Sequence, residues 1–298
     1  MFDQFEKLRI KTSETEINLV QKGTGEPVLL LHGYPQTHVM WHKVAPILAE
    51  QFSVVVPDLR GYGDSDKPFE IDNLELYSKR SMAKDQVEIM EKLGFESYHV
   101  VGHDRGARVG HRLTLDNASK VRSFTSLDVV PSETAFKNMN SDLSFAWFHW
   151  HLMRQPYPLP ETLIGNSAKT YLDFLFETWT AVENAITPEA YKEYLRCFNN
   201  QDTIRSTCLD YRSVETDIKH DQVDSDRKLQ CPVLVLWAGN MKKRPGWQTG
   251  NKLNMIEVWK EKAEEVQGEV IDCGHFLPEE APQKVASTLI EFFKQLDC

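Results

Sequence analysis

A chain of 298 residues, 41% hydrophobic and 26% charged, has the makeup of a globular protein with one large domain or a main domain carrying an insertion. Its formal net charge of −10 excludes a generally basic surface for nucleic acid, while a local pair of arginines can still attract a small anion. The start of the chain, Met1 to Lys7, lacks the basic and apolar pattern of a signal peptide, and no apolar run approaches membrane-spanning length. Neither a membrane nor a nucleic-acid partner is therefore expected. The cysteines, Cys197, Cys208, Cys231, Cys273 and Cys298, are odd in number, scattered and without metal-ligand spacing. They predict reduced thiols in a cytoplasmic protein.

Through about Val20 the chain reads as an antiparallel start to a sheet. Short apolar runs then recur at wide intervals: Val28–Leu31, Ser53–Val56, Tyr98–Val101, Ser123–Leu127 and Val233–Trp237. Separated by helical patterns, they predict buried parallel strands of a three-layer α/β fold. Between the fourth and fifth runs the rhythm breaks. Residues 131–227 contain aromatic helical stretches such as Phe145–Trp150, interrupted by the proline-rich Gln155–Pro160, with no strand evident. This predicts a helical cap over residues 131–227, inserted between core segments 1–130 and 228–298. Such a cap would lie over the carboxyl ends of the strands, where ligands of open α/β sheets bind.

Gly102-His103-Asp104-Arg105-Gly106 lies between a β-branched strand and the helical pattern that begins at Ala107. Small residues two before and two after Asp104 permit a sharp strand-to-helix turn that exposes the central side chain. A carboxylate at that apex is ionised at neutral pH and can attack carbon without a base. A helix N-cap is the plainer use of such an Asp. The ester that attack leaves must be hydrolysed, which calls for a base and an orienting acid. His275 follows the last strand and precedes the C-terminal helix, the expected place for the base. Asn240 follows one candidate strand but supplies no charge, so Asp128, after Ser123–Leu127, is the expected acid. His32-Gly33-Tyr34-Pro35 would present the Tyr34 N–H to the oxyanion, with the Arg105 N–H as second donor.

Taken together, His32–Gln36 with Met40-Trp41, Asp58–Gly63, Gly102–Arg108, Leu127-Asp128, His149-Trp150, Asp210–Arg212 and Gly274–Phe276 resemble the haloacetate dehalogenases, including the fluoroacetate dehalogenases. The elbow and the His-Gly-X-Pro turn are shared with epoxide hydrolases and haloalkane dehalogenases. The Asp-Arg-Gly-X-Arg run, the His-Trp pair and the later Tyr are more specific. The resemblance implies an α/β-hydrolase fold, with Asp104 as nucleophile, His275 as base and Asp128 as its partner. It further implies Arg105 and Arg108 holding the substrate carboxylate, and His149, Trp150 and Tyr211 cradling the departing halide. No metal or organic cofactor and a homodimer complete the implied picture.

Elementary chemistry agrees with these assignments. Arg105 and Arg108, three apart at a helix start, can point to one face and grip a carboxylate. Imidazole, indole and phenol protons are suitable donors to a developing fluoride charge. His151, about 200° around the helix from His149, should face elsewhere, while Trp147 and Phe148 belong to an aromatic cap core. The expected reaction converts haloacetate and water into glycolate and halide. An epoxide hydrolase using the same Asp104 is the alternative, although its arginine pair would be idle and no second tyrosine pairs with Tyr211. A ligand-binding protein on this scaffold would be expected to lose elbow or histidine residues, and all are present. The basic, glycine-bearing stretch 239–253 reads as a surface loop without assigned chemistry.

Overall fold

A computed structural model describes residues 1–241 and 253–296. Most of the basic stretch 239–253 therefore lies outside the described residues, as does Cys298. Eight strands form one sheet: β1 (Glu6–Lys11), β2 (Glu16–Lys22), β3 (Pro27–Leu31), β4 (Ser53–Pro57), β5 (Tyr98–His103), β6 (Val121–Leu127), β7 (Val233–Ala238) and β8 (Val266–Ile271). Their order is β1-β2-β4-β3-β5-β6-β7-β8. β2 is antiparallel to both neighbours and every other pairing is parallel. The expected α/β-hydrolase architecture is present, including the antiparallel start.

Burial explains which runs were easiest to read. β4 and β5 are buried at every position, and β3 at all but its first, because helices cover both faces of the sheet. Residues alternate between the two faces along a strand. On one face, the helix Arg105–Asp116 packs over Val100 and Phe124 through Gly110. On the other, Phe293 of the helix Pro282–Gln295 stacks on His99 at 4.2 Å. β8 is the exception, an edge strand of mostly accessible residues.

Strand order also locates the site. From β3 the chain moves outward to β4, then returns to the other side of β3 as β5. The loops after β3 and β5 diverge there and open a crevice at the carboxyl edge of the sheet. The loops after β6 and β8 reach the same edge. Between β6 and β7 run eight helices, from Ser132–Lys137 to Val214–Val223. The predicted continuous helix through Phe145–Trp150 is broken. Trp147 leaves helical geometry at φ −107° and ψ 33°, ending Ser141–Ala146 and preceding Phe148–Met153. The break lets Trp147 pack near Val130, Ala135 and Val258 while His149 and Trp150 turn inward.

Among the described residues no helix is long and apolar enough to cross a membrane. Cys197, Cys208, Cys231 and Cys273 are free thiols.

A buried polar cluster joins the cap to the core. Glu279 accepts from Tyr194 Oη at 2.5 Å, and its carboxylate lies 3.5 Å from Lys43 Nζ. Lys43 also donates to the carbonyls of Glu279 and Ala185. Burial pushes the Glu279 carboxyl up to about 7, against the pull of Tyr194 and Lys43. The folded protein thus holds a proton that the unfolded chain, with an ordinary value of 4.5, releases earlier. Its stabilising effect is complete below the unfolded value and is lost as pH rises to about 7. Glu279→Gln should flatten the fall in stability between about pH 5 and pH 7. Urea unfolding at both pH values checks this, and an unchanged slope would contradict it.

Candidate active site

Asp104 occupies the turn between β5 and the helix Arg105–Asp116, with φ 47° and ψ −115°. An L-residue rarely adopts such a backbone, and here it projects the carboxylate outward. Although Asp104 stands at the N-cap position, its side chain makes no capping bond. Its Oδ1 instead accepts from Tyr34 N at 3.1 Å. The loop after β3 therefore supplies the expected amide. Arg105 begins the helix, where its own N–H has no intrahelical acceptor.

The turn needs glycine because backbone crosses backbone at it. A Cβ on Gly106 would lie 2.3 Å from His32 O and 2.6 Å from Leu31 O. On Gly102 it would lie 2.5 Å from Ala107 Cα.

His275 follows β8 and is buried. Its Nδ1 lies 2.6 Å from Asp128 Oδ2. A carboxylate only accepts, so Nδ1 carries the proton and Nε2 keeps a lone pair. Asp128, at φ 50°, also accepts from Ala238 N through Oδ1 at 2.9 Å. Asn240, the competing position, uses its backbone amide to bond Cys273 O. Burial pushes the Asp104 carboxyl up, but the His275 imidazole, then His103, Arg105 and Arg108, outweigh it and hold it at about 2. His103 itself is pushed down to about 4 by burial and donates from Nε2 to His275 O at 2.7 Å.

The cap residues converge on this point. Tyr211, Trp150 and His149 are all buried. Tyr211 lies 5.0 Å from Trp150, 5.5 Å from His149 and 5.2 Å from Tyr34, ring centre to ring centre. Burial and then the Asp104 charge push the Tyr211 phenol well above its ordinary value, so it keeps its proton to donate. His151 points away and bonds Ser144 Oγ at 2.7 Å.

Arg105 and Arg108 both face the Trp150 ring, at 5.1 and 4.9 Å. Their surroundings differ. Arg105 spends its Nε and Nη2 on the Asp210 carboxylate, at 2.9 and 2.6 Å, and donates from Nη2 to Asp210 O at 2.8 Å. Lys79 and Tyr62 bond the same carboxylate, Tyr62 Oη at 2.6 Å. Arg105 thus retains only Nη1 without a partner among the described residues. The ion pair leaves Nη1 as the nitrogen of Arg105 open to a substrate carboxylate. Arg108 bonds Ser132 Oγ at 2.9 Å, has an unpartnered Nε and meets no carboxylate among the described residues. Burial and then Arg105 push its guanidinium down, the mark of a poorly compensated charge.

Sequence reasoning did not foresee the Lys79–Asp210–Tyr62 network or Trp179, whose ring lies 4.8 Å from His149 and 5.3 Å from His275. Asp210 beside Tyr211 was the available signal; Lys79 offered none. Among the described residues no group of three or more His, Cys, Asp or Glu could hold a metal.

This arrangement suits a hydrolase. The chain belongs to the α/β-hydrolase fold family, which its sequence matches over residues 26–282. It is 38% identical to a fluoroacetate dehalogenase of Burkholderia sp., covering 98% of this chain and 95% of that protein. It is 33% identical to a soluble epoxide hydrolase of Corynebacterium sp. strain C12, covering 94% of each. A crystal structure of a candidate α/β hydrolase from Nostoc sp. PCC 7120 superposes with a TM-score of 0.94 at 47% identity, covering 98% and 99% of the two chains.

Gly106→Ala forces its new methyl into the β3 carbonyls and should cost about 1–3 kcal/mol. Chemical denaturation measures the loss. A variant as stable as the parent would show that the turn relaxes freely.

Proposed function

We propose that this hydrolase cleaves the carbon–halogen bond of a haloacetate, giving glycolate and halide. The observation that carries the reading is Arg108, a buried guanidinium without a carboxylate partner among the described residues, beside the Asp104 carboxylate. A small carboxylate substrate would compensate that charge. Arg108 supplies most of the attraction, and Arg105 adds the single donor Nη1. Held in this way, the α-carbon faces Asp104.

Asp104 attacks with the oxygen not held by Tyr34, and the carbon–halogen bond breaks as the new carbon–oxygen bond forms. The halide leaves toward Tyr211, Trp150 and His149, whose protons meet its charge in a pocket with little water. The oxygen bonded by Tyr34 N becomes the ester carbonyl. When water adds to that carbonyl carbon, the charge develops on an atom already held by an amide. His275 takes the proton of the incoming water, and Asp128 stabilises the imidazolium.

Similarity to the fluoroacetate dehalogenase supports this reading. Similarity to the epoxide hydrolase and the protonated Tyr211 phenol support a second, epoxide opening by the same nucleophile. The uncompensated Arg108 favours the anion.

Halide release from fluoroacetate and chloroacetate, with styrene oxide alongside, is the deciding assay. Turnover of neither haloacetate overturns the proposal, and epoxide turnover alone would favour the second reading. Arg108→Met should raise KM for the haloacetate roughly tenfold or more, a loss typical of a charged hydrogen bond. His275→Asn should form the Asp104 ester and fail to hydrolyse it, as intact-protein mass spectrometry would show. Because Asp104 is held at about 2 in the parent protein, ester formation in single-turnover experiments on the parent should be constant from about pH 5 to pH 8. An acid limb within this range would contradict the assignment of the nucleophile.

A further inference from the structure

The orientation of His275 depends on more than Asp128. Its own amide donates to Trp179 O at 2.9 Å. The residues on either side, Gly274 and Phe276, donate their amides to one side chain, Glu280, at 2.8 and 3.0 Å. The same carboxylate accepts from Ala181 N at 2.8 Å and Val182 N at 3.0 Å. Glu280 is only 8% exposed, so four amides from two distant segments satisfy an almost dry carboxylate. Hydrogen bonds to an ionised acceptor are the strong kind.

Space confirms how closely the two segments meet. A Cβ on Gly274 would lie 2.4 Å from Trp179 O, 2.6 Å from Ala181 N and 2.8 Å from Glu280 Oε1. The loop cannot shift toward the cap, and Glu280 prevents it from drifting away. Ala181 and Val182 follow the cap helix Ala168–Trp179, so one carboxylate fastens the His275 loop to the cap.

We propose that Glu280 is the positioning residue of the His275 loop, setting where Nε2 is presented and thereby governing ester hydrolysis without governing ester formation. The proposal rests on the dehalogenase reading above. In the first half-reaction Asp104 attacks and halide leaves, with no proton passing to His275. In the second, water adds to the ester carbonyl carbon and gives a proton to His275 Nε2. The bond to the glycolyl oxygen then breaks, that oxygen takes the proton from His275, and the regenerated carboxyl ionises. Only this half depends on the distance from Nε2 to water, where an error of about 1 Å costs roughly 100-fold.

Glu280→Gln keeps the size of the side chain but replaces one acceptor oxygen with a donor that opposes the backbone amides. In single-turnover experiments with fluoroacetate, ester formation should stay within about threefold of the parent, while hydrolysis should slow by roughly 10- to 100-fold. Intact-protein mass spectrometry during turnover should then show the Asp104 ester accumulating. Glu280→Asp, charged but shorter, should show the same split to a smaller degree and serves if the Gln variant does not fold. Equal slowing of both half-reactions, or slow turnover without accumulated ester, overturns the proposal and makes Glu280 a purely structural group. Absence of halide release from the parent protein, measured in parallel, overturns the dehalogenase reading on which this one rests.

Discussion

An ionised carboxylate in a mostly apolar pocket is costly unless positive charge and N–H donors surround it without covering it. Asp104 is placed under that constraint, and the residues around it answer in different ways. Tyr34 N holds one oxygen. His275, Arg105 and Arg108 keep the carboxyl ionised from further off. Among the described residues no cationic side chain hydrogen-bonds Asp104, a contact that would lower its reactivity. The elbow makes this possible, because φ 47° lifts the side chain clear of the helix that follows.

The second consequence is an unequal pair of arginines. Two buried guanidiniums side by side repel one another, and burial weakens the screening between them. Asp210 absorbs the charge of Arg105, and Lys79 in turn offsets Asp210. Burial raises the Asp210 carboxyl, yet Arg105 and Lys79 hold it well below the ordinary carboxylate range. Arg108 has no such relief. Among the described residues the unmet need for negative charge is concentrated on one guanidinium beside Asp104.

Much of this was legible in the sequence where chemistry and chain position coincide. Buried parallel strands read as unbroken apolar runs, so β3 to β7 were visible, whereas β8, an accessible edge, has no such signature. Asp104 was legible because its turn imposes glycine two residues away on each side. Asp128 was legible because it follows a strand at that edge, and His275 because it stands in a late loop ahead of the C-terminal helix. The Arg105–Asp210 pair was not, since 105 residues separate its members and helix periodicity carries no information about which acid meets which base. The break at Trp147 was hidden for a similar reason. Aromatic residues fit a helix well enough, and only the packing of Trp147 apart from Trp150 ends it.

The cap is more than a shield laid over a finished site. Asp210 and Tyr211 come from the cap helix Gln201–Arg212, and His149 and Trp150 from Phe148–Met153. Asp210 bonds three core residues, Arg105, Lys79 and Tyr62. Ala181 and Val182 meet Glu280 on the opposite side of the site. Lifting the cap would break the bonds of Arg105, Lys79 and Glu280 together with the apolar contacts. The same bonds that close the pocket therefore complete its electrostatics and fasten the loop that carries His275. On the proposed mechanism, water would reach the Asp104 ester within the geometry that the cap imposes.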